Sequence, residues 1–201
     1  MSALPQGDLL VVCTGNICRS PAAELLLRAG LGAAGPAVAS AGLAARTGEP
    51  VAPPMAALLT ARGVDPGGFA ARQLQPPMLR SAGLVLTMTA AQRSAVVTRA
   101  PAVVRRTFTL LEFADLARLG ADLPQERDPA GRLATLLTAA PRLRALRTGP
   151  RDDDVEDPHG LGADVFARSL ARIEAATALL LEVLTAHVAR SASPSAGRLP
   201  S

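Results

Sequence analysis

The stretch Leu9-Leu10-Val11-Val12-Cys13-Thr14-Gly15-Asn16-Ile17-Cys18-Arg19-Ser20-Pro21 decides how the rest of the chain is read. Leu9–Cys13 is a short apolar run with β-branched residues, bounded by polar residues before it and a glycine soon after. That pattern suits a strand buried on both faces, as in a parallel sheet. From Ala22 to Leu31 the composition turns helical; Ser20 is a good N-cap, and Pro21 falls at the first helical position, where its missing N–H costs nothing. Between strand and helix lies a loop that opens with a cysteine and closes with an arginine. A loop running into a helix N-terminus turns successive backbone N–H groups toward one point and adds the positive end of the helix dipole. A cysteine at the start of such an anion site has its thiolate stabilised. An arginine at the far end offers a planar fork to two phosphate oxygens. A thiolate and a clamp converging on one anion imply covalent phosphoryl transfer through a phosphocysteine. Cys13 is then the nucleophile and Arg19 the clamp, with Thr14, Gly15, Asn16, Ile17, Cys18 and Ser20 around the bound phosphate. Gly15 and Asn16 suit the tight or left-handed turns such a loop requires. A merely buried, packing cysteine would not account for the strand, turn and helix around it.

Working outward, Val38–Ser40 and Gly83–Thr87 read as further strands, with Arg106–Leu110 a fourth that is polar at its start. Pro54–Arg62, ended by Gly63, and Ala90–Arg99, closed before Pro101, read as helices. A long amphipathic helix runs from Leu161 to about Val188, with Val165, Leu170, Ile173 and Leu180 near one face. Strand–helix–strand alternation predicts an α/β fold: a single three-layer domain with a four-stranded, mostly parallel sheet flanked by helices. Residues 114–151 fit this scheme least; Arg132–Arg147 is helical in composition but interrupted by Pro141, and the stretch reads as an insertion. Residues 190–201 are rich in Ser, Pro and Gly and are expected to be disordered.

Composition narrows the class further. The 201 residues are 49% hydrophobic, enough for a buried core, yet only 2% aromatic. The formal charge is +4, every basic side chain is arginine, and the arginines are scattered rather than run together. An Arg-only basic set beside heavy alanine usage fits biased codon composition better than a nucleic-acid footprint. Two cysteines close together do not make a disulfide scaffold, and Met1–Asp8 does not read as a signal peptide. Apolar stretches such as Ala175–Leu181 fall far short of the ~20 residues a membrane helix needs. The expectation is a soluble cytoplasmic protein without nucleic-acid or membrane partners. Two histidines without paired ligands predict no metal site; His187 reads as surface and Met55, Met78 and Met88 as core filler.

The string VCTGNICRSPAAE, from Val12 to Glu24, resembles the phosphate-binding loop of the low-molecular-weight protein tyrosine phosphatases nearly residue for residue. Ser40-Ala41-Gly42 is similar to the family's next motif, Gly48-Glu49-Pro50 follows plausibly, and Leu84–Thr89 with Gln92-Arg93 resembles its third strand and following helix. The resemblance covers roughly residues 8–113 and 152–189. It implies a phosphatase-like domain over 1–189 that uses no cofactor or metal and acts on a phosphorylated protein or a small aryl phosphate. It also implies that Asn16 braces the loop and that Ser20 donates its hydroxyl to the Cys13 thiolate.

A phosphate monoester releases its alkoxide or phenoxide far more easily when a carboxylic acid protonates it, and the same group can then activate water. The acidic cluster Asp152-Asp153-Asp154-Val155-Glu156-Asp157-Pro158 precedes the last helix, where the family carries its general acid in an Asp-Pro pair. Asp157 is therefore the acid, with Asp154 and Glu156 expected to crowd it and Asp152 and Asp153 read as solvated. Asp128-Pro129 is a decoy inside the unmatched stretch. Where the family usually places two aromatics to sandwich the substrate ring, this chain has His159 and, on a loose alignment, Arg46, so preference for phosphotyrosine should be relaxed. A thioredoxin-coupled arsenate reductase would need relay cysteines beyond Cys18, and a non-catalytic phosphoprotein-binding module would have lost the nucleophile, arginine or acid. A thiol redox sensor remains as a property of the enzyme: Cys18 is placed to trap an oxidised Cys13 as a disulfide.

Overall fold

A computed structural model describes residues 8–33, 35–124, 128–148 and 152–185. The expected tail at 190–201, His187 and the end of the last helix at Val188 lie outside the described residues.

The first strand, β1, spans Leu9–Cys13 and is buried at every position. Successive side chains of a strand point to opposite faces, so an all-apolar strand needs cover on both sides. Leu9, Val11 and Cys13 enter one apolar cluster while Leu10 and Val12 enter a second. After β1 come α1 (Arg19–Leu31), β2 (Val38–Gly42), α2 (Pro53–Thr60), α3 (Pro76–Ser81), β3 (Leu84–Thr87), α4 (Ala90–Arg99), a 3-10 turn (Pro101–Arg106) and β4 (Thr107–Thr109). The helices α5 (Leu110–Leu119), α6 (Pro129–Leu146) and α7 (Ala163–Thr185) follow. The sheet order is β2-β1-β3-β4, every pair parallel, with Leu9 opposite both Val38 and Leu84. The larger cluster joins one face of the sheet to α1, α5 and α7 through Leu27, Phe108, Phe113, Leu170, Ile173 and Leu180. Val165, Leu170, Ile173 and Leu180, read as one face of the last helix, are all buried. The expected three layers and four strands are present.

Several boundaries move for identifiable reasons. The first helix begins at Arg19 with Cys18 at its cap position, and no side chain caps it. Ser20 is inside the helix because its hydroxyl is committed elsewhere. The strand expected to reach Leu110 stops at Thr109, whose side chain accepts the Glu112 amide and opens α5. Thr109-Leu110-Leu111-Glu112 is a Ser/Thr-x-x-Glu helix start overlooked beside the apolar run. Pro76-Pro77 opens α3, a short helix in a stretch for which the sequence predicts no element. Pro141 does not interrupt α6, although an interior proline costs about 3 kcal/mol. Pro141 is on the exposed side, while Leu133, Leu136, Ala140 and Leu143 are buried and hold the helix together.

The order of strands reverses at β1: the chain adds β2 on one side and then β3 on the other. In an open parallel sheet the crevice at the carboxyl ends of strands beside such a switch is where ligands bind. The loops after β1, β2 and β3 all emerge there.

Candidate active site

Residues 14–18 turn directly from β1 into α1. Asn16 adopts φ 55, a left-handed conformation that asparagine tolerates better than most side chains. Gly15 does not take a positive φ, and a Cβ on it would meet only Ile17 at 3.6 Å, so the left-handed turn rests on Asn16 alone. Gly42, by contrast, is required: a Cβ there would stand 2.5 Å from the Thr14 carbonyl oxygen. That close approach lets the segment after β2 hold the loop from outside. Leu43 N donates to Cys13 O, Ala44 N to Thr14 O, Arg46 N to Gly15 O and Ala52 N to Ile17 O, at 2.7–3.0 Å. With several of its carbonyls engaged by that segment, the loop directs the Asn16 amide to the Cys13 sulfur at 3.3 Å.

Behind the sulfur runs a chain of buried polar groups. The Asn16 side-chain amide donates to Ser20 Oγ at 2.9 Å and to Ser40 Oγ at 2.7 Å. Ser40 Oγ in turn donates to Glu24 Oε2 at 2.6 Å, and Arg72 N donates to Asn16 Oδ1 at 2.8 Å. Arg72 Nη2 closes the circuit on the Glu24 carboxylate at 3.0 Å and 3.2 Å. Because Ser20 Oγ receives an amide proton, its own proton is available to Cys13 Sγ, 2.9 Å away. Ser40, Glu24 and Arg72 were not singled out from sequence. Glu24 carried a signal: a charged residue one turn beyond Ser20 in an otherwise apolar run shares its face. Nothing local marks Arg72.

Arg19 closes the loop with a side chain only 4% exposed. Its Nη1 donates to Val155 O at 3.0 Å, and its Nη2 pairs with Asp157 Oδ2. Its Nε is buried without a partner. A buried, unpaired guanidinium N–H carries a desolvation cost that an anion in the cleft would relieve. The cleft, about 180 Å³, is lined by residues 13–19 together with Ala44, Arg46, Asp157 and His159. The sequence-derived residues are thus brought together, with Ser20 touching the sulfur from beneath. Asp157 is 48% exposed and accepts the His159 amide on Oδ1 at 3.2 Å, while Arg46 is exposed and pairs with Glu49 at 3.4 Å. Gln92, buried and read from sequence only as part of a helix motif, donates to Thr14 Oγ1 at 3.1 Å and accepts the Met88 amide at 3.0 Å.

Asp157 is not crowded by the neighbours expected to crowd it. Asp154 accepts the Ala90 amide and Glu156 reaches Arg168, so both point away. Asp153, read as solvated, is gripped by Arg147, and Asp152, though exposed, pairs with Arg172. The decoy Asp128 caps α6 by accepting the Gly131 amide at 2.8 Å, with Pro129 in the first turn. Cys13 and Cys18 are both free and buried. Burial first, then the neighbouring Cys13 and Asp157, push the Cys18 thiol up to about 12.

A thiol at the head of a strand-to-helix loop, a buried arginine with a spare donor and a carboxylate at the mouth can together bind a phosphoryl group, attack it and protonate its leaving group. Residues 8–134 match the model of the low molecular weight phosphotyrosine protein phosphatase family, and the chain belongs to that family. The match runs into the stretch read as an insertion. The chain is 40% identical over 105 residues to a probable low molecular weight protein-tyrosine-phosphatase, EpsP, from Ralstonia nicotianae, covering 52% of this chain and 71% of that one. The crystal structure of the Erwinia amylovora tyrosine phosphatase AmsI superposes with TM-score 0.65 at 25% identity, covering 88% of this chain and 91% of that one. The YwlE arginine phosphatase from Geobacillus stearothermophilus superposes with TM-score 0.68 at 25% identity, covering 94% and 99%. Among the described residues no helix is long and apolar enough to cross a membrane.

Proposed function

We propose that the chain is a cysteine-dependent protein tyrosine phosphatase that hydrolyses phosphotyrosine in proteins through a phosphocysteine. The observation that carries this reading is the pairing of a cysteine thiol, hydrogen-bonded by Asn16 N and Ser20 Oγ, with the unpartnered Nε of buried Arg19 in one cleft. The phosphoryl group sits in the loop of residues 14–18, held by its amides and by Arg19. Cys13 Sγ attacks phosphorus in line with the ester oxygen, the P–O bond breaks, and Asp157 gives its proton to the departing phenoxide. Asp157, now a carboxylate, takes a proton from water as the water attacks the phosphocysteine. Phosphate leaves and the thiolate returns, stabilised by the Ser20 proton.

His159 and Arg46 flank the mouth and contact the aryl group, histidine by stacking and the guanidinium against the ring face. Neither is a rigid aromatic wall, which relaxes preference among aryl phosphates. The arginine phosphatase fold-mate makes phosphoarginine the second substrate to consider. The matched family and its relative EpsP are named as tyrosine phosphatases, which places phosphotyrosine first. A cytoplasmic location fits this substrate. The deciding experiment is hydrolysis, without added metal, of an aryl phosphate and of matched phosphotyrosine, phosphoserine and phosphoarginine peptides. Phosphotyrosine-peptide turnover at least tenfold above the phosphoserine and phosphoarginine peptides is expected; a phosphoarginine preference would overturn the substrate assignment.

A further inference from the structure

The acid-bearing segment 152–159 has no regular helix or strand of its own. Its position is set residue by residue. Asp154 Oδ1 accepts the Ala90 amide at 2.7 Å, Val155 N donates to Met88 O at 2.7 Å, and Val155 O accepts from Arg19. The strongest hold is upstream. Arg147, the C-cap residue of α6, donates from Nη1 and Nη2 to the two carboxylate oxygens of Asp153 at 3.0 Å and 2.6 Å. Its Nε donates to Asp115 Oδ2 on α5 at 2.8 Å, and Glu112 stands 3.9 Å away. One turn earlier, Arg144 pairs with Glu112 at 2.7 Å and lies 4.6 Å over the Phe108 ring of β4. The Arg147 side chain is only 7% exposed.

We infer that Arg147 is a positioning residue for the general acid: it fastens the α5–α6 pair to Asp153 and so presents Asp157 at the cleft in its working place. The inference rests on the reading of Asp157 as the acid. A two-pronged guanidinium–carboxylate contact fixes orientation as well as distance. Burial protects it from the salt screening that weakens exposed pairs such as Arg168–Glu156. The hydrogen bond to Asp153 is the largest cause holding the Arg147 guanidinium above its ordinary basicity, with burial working against it. Asp153 and Asp157 are four residues apart, a span of at most about 14 Å, so slack at one is felt at the other. A misplacement of about 1 Å in a reacting group can cost roughly 100-fold in rate. This gives the helices between β4 and the acid loop a task in the reaction, although they contribute nothing to the cleft lining.

The test compares phenyl phosphate, whose leaving group needs a proton, with 4-nitrophenyl phosphate, whose leaving group does not. In Asp153→Asn and Arg147→Lys, kcat/KM for phenyl phosphate, which reports formation of the phosphocysteine and not its hydrolysis, should fall about tenfold while that for 4-nitrophenyl phosphate changes less than about twofold. Adding Asp153→Asn to Asp157→Ala should cost nothing further. Arg147→Lys keeps the buried positive charge, so it reports on the fork even where Asp153→Asn folds poorly. A normal loss in Asp157→Ala with wild-type ratios in both other variants overturns the positioning role alone. So does a loss that is equal for the two esters and additive with Asp157→Ala. An Asp157→Ala ratio equal to wild type overturns the acid assignment, and the positioning role with it.

Discussion

Residues 13–20 and residues 152–159 meet at Arg19, and they are held in different ways. The first loop is braced mainly by groups buried with it: Asn16, Ser20, Ser40 and the backbone of the segment following β2. The second is held by scattered partners: Arg19, Met88 and Ala90 far away in sequence, Arg172 on the last helix and Arg147 at the end of α6. The first loop must keep an anion pocket in register to a few tenths of an ångström, and buried hydrogen bonds do that because breaking one strands a polar group away from water. The second must admit a substrate and release a product, and a half-exposed carboxylate on an irregular segment can yield without unfolding anything. Chemistry that needs rigidity is held by buried hydrogen bonds; chemistry that needs movement hangs on a more exposed segment.

The largest expected effect falls on the first loop. Cys13→Ser should lower turnover by at least about 10³-fold while vanadate still binds, because the pocket is backbone and Arg19. Arg19→Ala should lose binding and rate together, and Arg19→Lys should not restore them, since a point charge cannot replace the fork. Turnover within tenfold of wild type in Cys13→Ser would sink the nucleophile assignment.

On the second loop, Asp157→Ala should slow esters with poor leaving groups by roughly 10²–10⁴-fold and activated esters much less. Asp128→Ala should leave both rates near wild type and instead lower thermal stability, because Asp128 caps a helix. Steady-state kinetics and a melting curve on the two variants separate the two Asp-Pro pairs.

An intermediate effect concerns Cys18, which lies in the first loop but feels the second. At neutral pH its thiol, near 12, is protonated and attacks slowly. Burial is the main cause, but the second is Cys13, and that repulsion disappears once Cys13 is oxidised to an uncharged sulfenic acid. Disulfide capture should therefore quicken as pH rises from 6 toward 9. After peroxide, dithiothreitol should restore wild type far more than Cys18→Ser, by a margin that widens with pH. Equal recovery of the two proteins at every pH would mean that Cys18 protects nothing.

The smallest effects sit at the edge of the second loop. His159→Tyr should sharpen preference for phosphotyrosine over small aryl phosphates by roughly 2- to 10-fold in kcat/KM. Asp115, partly buried on α5, is hindered by burial, yet hydrogen bonds from Arg147 and Arg118 hold its carboxyl below the ordinary range. A depressed carboxyl stabilises the fold above its unfolded value, about 3.9, and loses that contribution as pH falls through the folded one. Thermal stability should thus drop below about pH 4, and the drop should be shallower in Asp115→Asn.

The contrast between the two loops also explains what could be read in advance. The strand at Leu9–Cys13, the helix at Ala90–Arg99 and the parallel order followed from apolar runs, β-branching and punctuation by Gly and Pro, which act over a few residues. Ser20 was misjudged as a cap because a hydroxyl before a proline offers two uses, and only the arrival of Asn16 and Cys13 selects one. Pro141 was misjudged because local propensity counts the lost hydrogen bond and not the buried leucines that outweigh it.

By itself the sequence determined the fold class and the cysteine-to-arginine loop between the first strand and helix, because a strand–turn–helix anion site is specified by contiguous residues and their short-range physics. Only the tertiary structure decided that Glu24, Ser40 and Arg72 brace Asn16, that Gln92 ties Thr14 to the end of β3, and that Arg147 grips Asp153. Those contacts join residues up to 78 positions apart. Their geometry comes from how sheet and helices pack, and no local pattern of residues records it.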